Sequence, residues 1–519
     1  MFDRWLKLPA HKYLHLTALL ILAVGISINN VLMSIGTIWI ISNAIIQADF
    51  KAYWERIKKN KFLWVLIFFI LWHFASLLWS DDIAYGFKDI RMKLPLFVIP
   101  LVMGIQKPLS HTFFKWILMF FILTVCLASV INYVNYTPDK DIREMSLFLS
   151  HVRFAISITL ALGACLYLSV ERSFPWFIFI PIMVWLMFYT YKSQVLTGYI
   201  LFAILAVLAV YYLFKRLNAR VLKFAFSITL VLGITITSVM VYLRTQAYLN
   251  QEKVNFSELE LYSPSGNPYY HDTTSTLTEN GNLVWIYVQH DEMRQEWNKV
   301  STLDYDGTDK KEQPLYGTIM RYLTSMGERK DSTGITKLLP QDVINIENGS
   351  TSMNAQNGFM ARLDVLLLEL FRYRANADPN GSTMLQRKEH LRTATHLLGK
   401  HWAFGVGIGD ITQKFEEAYN ELESRLSPEN RWRSHNQYLT TWIGMGIFGF
   451  LAFTFLIFYP LFTPNRFDFF FCFTSVILIT SALFQDIIET QAGITIFSLF
   501  LSLSLFASKP KHGRKLKLV

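Results

Sequence analysis

Twelve apolar runs, most of them near the length of a bilayer crossing, limit what this chain can fold into. About 20 consecutive apolar residues span the hydrocarbon core as a helix. The runs lie near 13–29, 31–47, 62–80, 94–106, 113–135, 152–170, 174–191, 196–214, 221–243, 436–461, 467–485 and 490–508. The fourth is short and holds Pro95 and Pro100, which favour a kinked or re-entrant segment. One long polar stretch, 244–435, interrupts the series.

Only 17% of the 519 residues are charged, against about 25% in soluble chains, and the deficit is concentrated in the runs. Phe, Trp and Tyr gather near their ends, as at a membrane interface. The net charge of +10 sits mostly in short clusters beside apolar segments, which argues for membrane orientation and against nucleic acid. Cys126, Cys165 and Cys472 fall inside apolar runs without metal-ligand spacing. The first run continues directly into the second, so no cleavable signal peptide is expected.

Three basic clusters set the orientation: Lys51, Arg56, Lys58, Lys59 and Lys61; Lys215, Arg216, Arg220 and Lys223; and a tail with Lys509, Lys511, Arg514, Lys515 and Lys517. With Arg4, Lys7 and Lys12 inside, all fall on the cytoplasmic side if the spans are even in number. The expected organisation is a membrane domain over 1–243 (spans 1–9), a loop domain over 244–435 on the outer face, a second membrane part over 436–508 (spans 10–12), and a basic cytoplasmic tail over 509–519. Within the loop, 359–374 and 383–400 read as amphipathic helices, and 250–300 as strand or irregular structure.

Candidate chemistry lies at the outer mouths of spans. His435 stands before the tenth span in Ser434-His435-Asn436-Gln437, followed by Gly444, Gly446 and Gly449. An imidazole there can accept a proton from a sugar hydroxyl, and the glycines allow close backbone approach. The alternative is that Ser434 caps the helix and His435 is an interfacial side chain. Arg153, at the mouth of the sixth span, is either a snorkelling anchor or a partner for a phosphate. Arg387 opens a loop helix and reads as a solvated charge or a ligand. Lys192 and Arg321 add positive potential or are structural. The stretch Phe404-Gly405-Val406-Gly407-Ile408-Gly409 lacks a Walker lysine and a preceding strand, and reads as a turn that re-aims the chain. No zinc spacing, Asp-rich magnesium motif or intramembrane relay of Asp, Glu or His is visible, which weighs against a coupled transporter.

The order of these features resembles the bacterial O-antigen ligase family, within the ligase and polymerase superfamily. His435-Asn436, nine residues, Gly446, two residues, Gly449 is similar to that family's histidine motif. Arg387, three residues, Leu391 is similar to its loop motif, and the Gly405–Gly409 turn to one carried between them. Gln194 departs from the pattern: many relatives have an arginine there.

The resemblance implies an all-α polytopic, GT-C-like membrane protein of about 12 transmembrane helices, with a large, mostly helical periplasmic domain between spans 9 and 10. It implies a metal-independent, inverting glycosyltransferase of the inner membrane that uses no cofactor. The donor is a glycan on undecaprenyl pyrophosphate and the acceptor lipid A-core oligosaccharide. His435 is then the general base. Arg153 and Arg387, with Lys192 and Arg321 as lesser candidates, bind the donor pyrophosphate, and Asn436, Gly446 and Gly449 shape the motif. Rival readings are an O-antigen polymerase, a protein O-oligosaccharyltransferase, and a lipid-glycan flippase or solute transporter.

Overall fold

A backbone in hydrocarbon has no water to bond, so apolar runs of this length are driven to helices that satisfy their own amides. The computed structural model describes residues 10–137, 140–171, 174–216, 220–249, 254–275, 277–353, 359–374, 378–463 and 468–507. Arg4, Lys7 and the basic tail 509–519 lie outside the described residues. The first half is a succession of helices: α1 (Ala10–Ile28), α2 (Asn30–Gln47), α3 (Phe50–Lys59), α4 (Lys61–Ser76), α5 (Ile83–Met92), α6 (Leu94–Ile105), α7 (His111–Val134), α8 (His151–Val170), α9 (Phe179–Ser193), α10 (Leu196–Arg216) and α11 (Arg220–Leu249). A two-stranded hairpin, β1 (Thr278–Glu279) with β2 (Asn282–Leu283), precedes α12 (His290–Val300), α13 (Leu315–Ser325), α14 (Ser332–Thr336), α15 (Pro340–Glu347), α16 (Phe359–Arg374), α17 (Thr383–His401) and α18 (Ile411–Glu421). The chain returns to the apolar bundle through α19 (Gln437–Phe458), α20 (Phe469–Phe484) and α21 (Gln491–Phe506).

The protein is a multi-span, all-α membrane protein, but the expected count of about twelve spans is corrected. Among the described residues seven helices are long and apolar enough to cross: Ala10–Ile28, Asn30–Gln47, Lys61–Trp79, His111–Val134, His151–Val170, Trp176–Ser193 and Gln437–Phe462. Four other apolar helices, Leu94–Ile105, Leu196–Tyr212, Phe469–Phe484 and Gln491–Phe506, are shorter. Hydropathy counts residues in a run, whereas a helix stops where its backbone turns. Asp468 and Gln485 bound one of the last two runs and Thr490 and Ala507 the other, all four extended, which leaves 16 helical residues in each. The run 221–243 falls in α11, where many side chains are outside the described set.

The expected large, mostly helical, GT-C-like loop domain is corrected as well. Two separate cores occupy that stretch. One, around Trp297, Tyr305, Ile319, Tyr322, Leu323 and Ile346, gathers short helices, turns and the small hairpin. The other joins Ala394, Leu397, Val406, Phe415 and Tyr419 to Ile443 of α19, so α17 and α18 pack against a membrane helix.

That packing depends on a break in α19. Gly446 has φ 66° and ψ −169°, a conformation essentially confined to glycine. The break frees the carbonyls of residues 443–445, and each finds a donor. Val406 N–H donates to Ile443 O (2.8 Å), Gly407 N–H to Gly444 O (3.0 Å) and Trp72 Nε1–H to Met445 O (2.8 Å). Ile447 N–H returns a bond to Trp402 O and to Ala403 O, both at 3.1 Å. The turn around Gly405 therefore lies directly on the broken helix. A Cβ on Gly405 would stand 2.5 Å from Gly446 N, and one on Gly446 would stand 2.1 Å from Ala403 O. We expect Gly446→Ala to lower the apparent melting temperature in detergent, with a backbone cost of about 1–3 kcal/mol before any clash is counted. Unchanged melting would mean that the break is not needed.

Candidate active site

The residues around His435 come from four parts of the chain, and main-chain geometry sets the imidazole first. His435 has φ 50°, a left-handed conformation that histidine tolerates better than branched residues. Its N–H donates to Asp486 Oδ2 (3.1 Å) in the link between α20 and α21, and Asp486 Oδ1 accepts from Thr440 Oγ1 (2.6 Å). Ser434 Oγ donates to Asn436 O (2.8 Å), and Asn436 Oδ1 caps α19 by accepting from the N–H groups of Tyr438 (3.0 Å) and Leu439 (3.2 Å). Asn436 is thus the helix cap, and not Ser434 as the alternative reading has it.

Held this way, His435 meets His390 of α17, with ring centroids 5.2 Å apart. Among the described residues neither ring nitrogen of His435 has a hydrogen-bond partner. Burial, then His390, Arg387 and Arg153, push its pKa down to about 4, so the ring is neutral with a free lone pair at pH 7. His390 is itself buried and shifted down by burial. Its Nε2 lies 3.0 Å from Asn430 O, while Nδ1 is buried with no partner. Asp486 moves the other way: burial raises its carboxyl to about 6 despite the Thr440 bond.

The two arginines of the sequence reading both act electrostatically on His435. Arg153 stands in the first turn of α8, with its Nη1 donating to Ser150 Oγ (2.9 Å) and Asp486 as its favourable charge. Arg387 lies one turn into α17 and donates a long bond to Phe484 O (3.5 Å). Burial and then the neighbouring Arg362 disfavour its charge. Lys192, in the last turn of α9, sits over the Phe188 ring at 6.0 Å. Arg321 in α13 is committed to an ion pair with Glu279 in the separate loop core. Gly446 is the break in α19, and a Cβ on Gly449 would stand 2.4 Å from Met445 Cβ.

Sequence reasoning missed His390, Arg362 and a buried charge network behind the site. Glu489 accepts from Arg433 Nη1 (2.7 Å) and Gln437 Nε2 (3.0 Å) and lies 3.2 Å from Lys93 Nζ. Lys93 also pairs with Asp89 (2.7 Å), one turn earlier on α5. Arg433 Nη2 donates to Tyr85 Oη (2.6 Å). Burial opposes the charge on Glu489, but Lys93 and Arg433 outweigh it and hold the carboxyl below its usual range. The spacing of residues 89 and 93 on one helix face was a usable signal; the partner some 400 residues away was not. Asp410 similarly receives the N–H groups of Asp81 and Asp82 (each 2.9 Å at the shortest), tying the α4–α5 link to the start of α18. Among the described residues no group of three or more His, Cys, Asp or Glu is placed to hold a metal ion.

His435 and Arg153 stand at the ends of membrane helices, and Arg387 stands on a helix of the polar insertion. The family model described as O-antigen ligase matches residues 335–454, and the chain carries an O-antigen ligase family domain in this C-terminal region. The match covers less than half of the chain; it contains Arg362, Arg387, His390 and His435, while Arg153 and Asp486 lie outside it. This similarity to the O-antigen ligase family suggests a glycosyltransferase-like activity on lipid-linked glycan substrates. No curated protein matches the chain.

Removing one member of a buried charge network leaves the others uncompensated, at a cost of about 3–5 kcal/mol. We expect Glu489→Ala, which strands Arg433, to destabilise the protein by that order in thermal unfolding. A variant as stable as the parent would show that the network is dispensable.

Proposed function

We propose that the protein is an O-antigen ligase of the inner membrane. It transfers a glycan from undecaprenyl pyrophosphate to lipid A-core oligosaccharide, with inversion and without a metal. The observation that carries this reading is the packing of His390 against the His435 ring at 5.2 Å, with Arg387 and Arg153, distant in sequence, acting electrostatically on the same imidazole and keeping it neutral. The basic clusters at the opposite ends of the helices support a periplasmic location for the site, with both termini cytoplasmic.

In this mechanism His435 accepts the proton of an acceptor sugar hydroxyl. The oxygen attacks the anomeric carbon from the face opposite the leaving group, and the bond from that carbon to the pyrophosphate oxygen breaks. The electron pair leaves with the lipid pyrophosphate. Arg387 and Arg153 stabilise the growing negative charge, for which the guanidinium fork is suited. The nearby positive charges that lower the basicity of His435 are offset when the anionic donor binds, so the base strengthens once substrate is present.

The test uses purified protein, lipid-linked donor and lipid A-core. His435→Ala is expected to abolish transfer while leaving folding intact. Arg153→Ala and Arg387→Ala should each lower kcat/KM by 10²-fold or more, an order seen for single charge-stabilising donors. Lys at either position should rescue poorly, because a point charge lacks the fork. Normal attachment by His435→Ala would end the general-base role. Product joined to a second lipid-linked glycan, and none to lipid A-core, would identify a polymerase.

The pH dependence follows from the shifts. A base with a lowered pKa stays active below the usual histidine range and is lost only as pH falls through its own value. In Asp486→Asn, which removes the neighbouring carboxyl that titrates near 6, the acid limb of kcat/KM should lie near pH 4 and not near 6.5. A limb that stays at 6.5 would show that His435 is not the titrating base.

A further inference from the structure

His390, three residues after Arg387 on α17, packs on the His435 ring and has no part in the transfer chemistry described above. Its helix is held at the start. Glu369 of α16 accepts from the N–H groups of Thr383 (3.3 Å) and Met384 (3.1 Å), and Ser382 Oγ accepts from Leu385 N–H (3.4 Å). The imidazole is 1% exposed. It packs against the Tyr419 ring of α18, with centroids 6.3 Å apart, and the His435 ring at 5.2 Å.

One edge of the His390 ring is fixed by a hydrogen bond. Nε2 lies 3.0 Å from Asn430 O. The turn that carries this carbonyl is itself tied down. Asn380 Oδ1 accepts from Ser427 N–H (2.8 Å), Ser427 Oγ (2.9 Å) and Asn430 Nδ2 (3.3 Å). A carbonyl oxygen only accepts, so Nε2 carries a proton. In the uncharged ring Nδ1 is then a bare lone pair. It is buried and, among the described residues, has no hydrogen-bond partner. Such an unmade bond costs about 1–3 kcal/mol.

His435 has the opposite need. A histidine base works when one nitrogen presents its lone pair to the substrate and the other holds its proton on an acceptor, which fixes the tautomer. The carboxylate at this mouth does not supply that acceptor. Asp486 Oδ2 takes the His435 main-chain N–H, and Oδ1 takes the Thr440 hydroxyl. Two imidazoles with centroids 5.2 Å apart can join facing nitrogens by one hydrogen bond of ordinary length. His390 lacks a donor where His435 lacks an acceptor.

We propose that His390 is the positioning residue of the base, with its Nδ1 accepting the ring N–H of His435 as transfer proceeds. This rests on the reading of His435 as the general base. The bond turns the other His435 nitrogen to the acceptor hydroxyl. It also stabilises the imidazolium that forms when the hydroxyl proton arrives. That proton moves from the sugar oxygen to His435, and His390 neither gains nor loses one.

The test compares three variants of the full chain in the transfer assay. His390→Phe keeps a ring for packing and removes both nitrogens. His390→Gln reaches Asn430 O but puts no acceptor at the Nδ1 position. His390→Asn carries its amide oxygen at the same remove from the backbone as Nδ1. The Phe and Gln variants should lose about 10- to 100-fold in kcat, the worth of one hydrogen bond to a charged group, with KM unchanged. His390→Asn should recover most of that loss. The Gln variant carries the test if the Phe variant fails to fold. Parent-like kcat in a folded Phe or Gln variant would overturn the inference and leave the base reading intact, provided that His435→Ala is inactive. An equal loss in the Asn variant would overturn the acceptor role in favour of packing alone. A raised KM with unchanged kcat would overturn it in favour of substrate contact. Normal transfer by His435→Ala would overturn the base reading itself.

Discussion

The break in α19 at Gly446 is the constraint on which the rest of the site depends. A straight helix would satisfy its own carbonyls and offer nothing to the 402–407 turn. Once broken, it exposes three acceptors, and the Gly405–Gly407 backbone comes close enough to use two of them. That contact draws α17 and α18 onto the membrane bundle, and α17 brings Arg387 and His390 to His435. The glycines are needed because side chains at these positions would overlap main-chain atoms of the opposite segment.

Charge is handled in two contrasting ways on either side of α19. Behind it, Glu489 is shared by Lys93 and Arg433, and Lys93 by Asp89, so that two cations and two carboxylates balance. In front of it, positive groups outnumber carboxylates, and His435 is kept neutral. A matched network in a dry environment is rigid, and it fastens the start of α6, the approach to α19 and the link before α21 to one another. An unmatched one leaves a positive electrostatic potential. Asp486 stands between the two, with its carboxylate used on the His435 main chain and on Thr440.

Several features of this arrangement were legible in the sequence. Periodicity marked the helices at 359–374 and 383–400, which form as α16 and α17 with ends within a residue or so. The His435-Asn436 pair with its spaced glycines, Arg153 at a span mouth and Arg387 on a loop helix were singled out by residue type and position. Lys192, at a span end, and Arg321, in the loop, were singled out by residue type as well; one lies over the Phe188 ring and the other pairs with Glu279, and a basic residue looks alike in sequence in either setting. The span count failed for a related reason: hydropathy records composition, and helix length is set by where Gln485, Thr490 and similar positions turn extended.

The sequence by itself determined that the chain crosses membranes as helices, since 20-residue apolar runs leave a backbone no other way to bond. It also determined that its chemistry-bearing residues stand at span ends and in a polar insertion. Only the tertiary structure decided which of those residues meet. His390 reaches His435, and Lys93 reaches Glu489 across 396 positions, through packing of helices whose order along the chain does not reveal their neighbours. Contacts of that range depend on the shapes of both partners and on the turns between them, and no local pattern of residues encodes either.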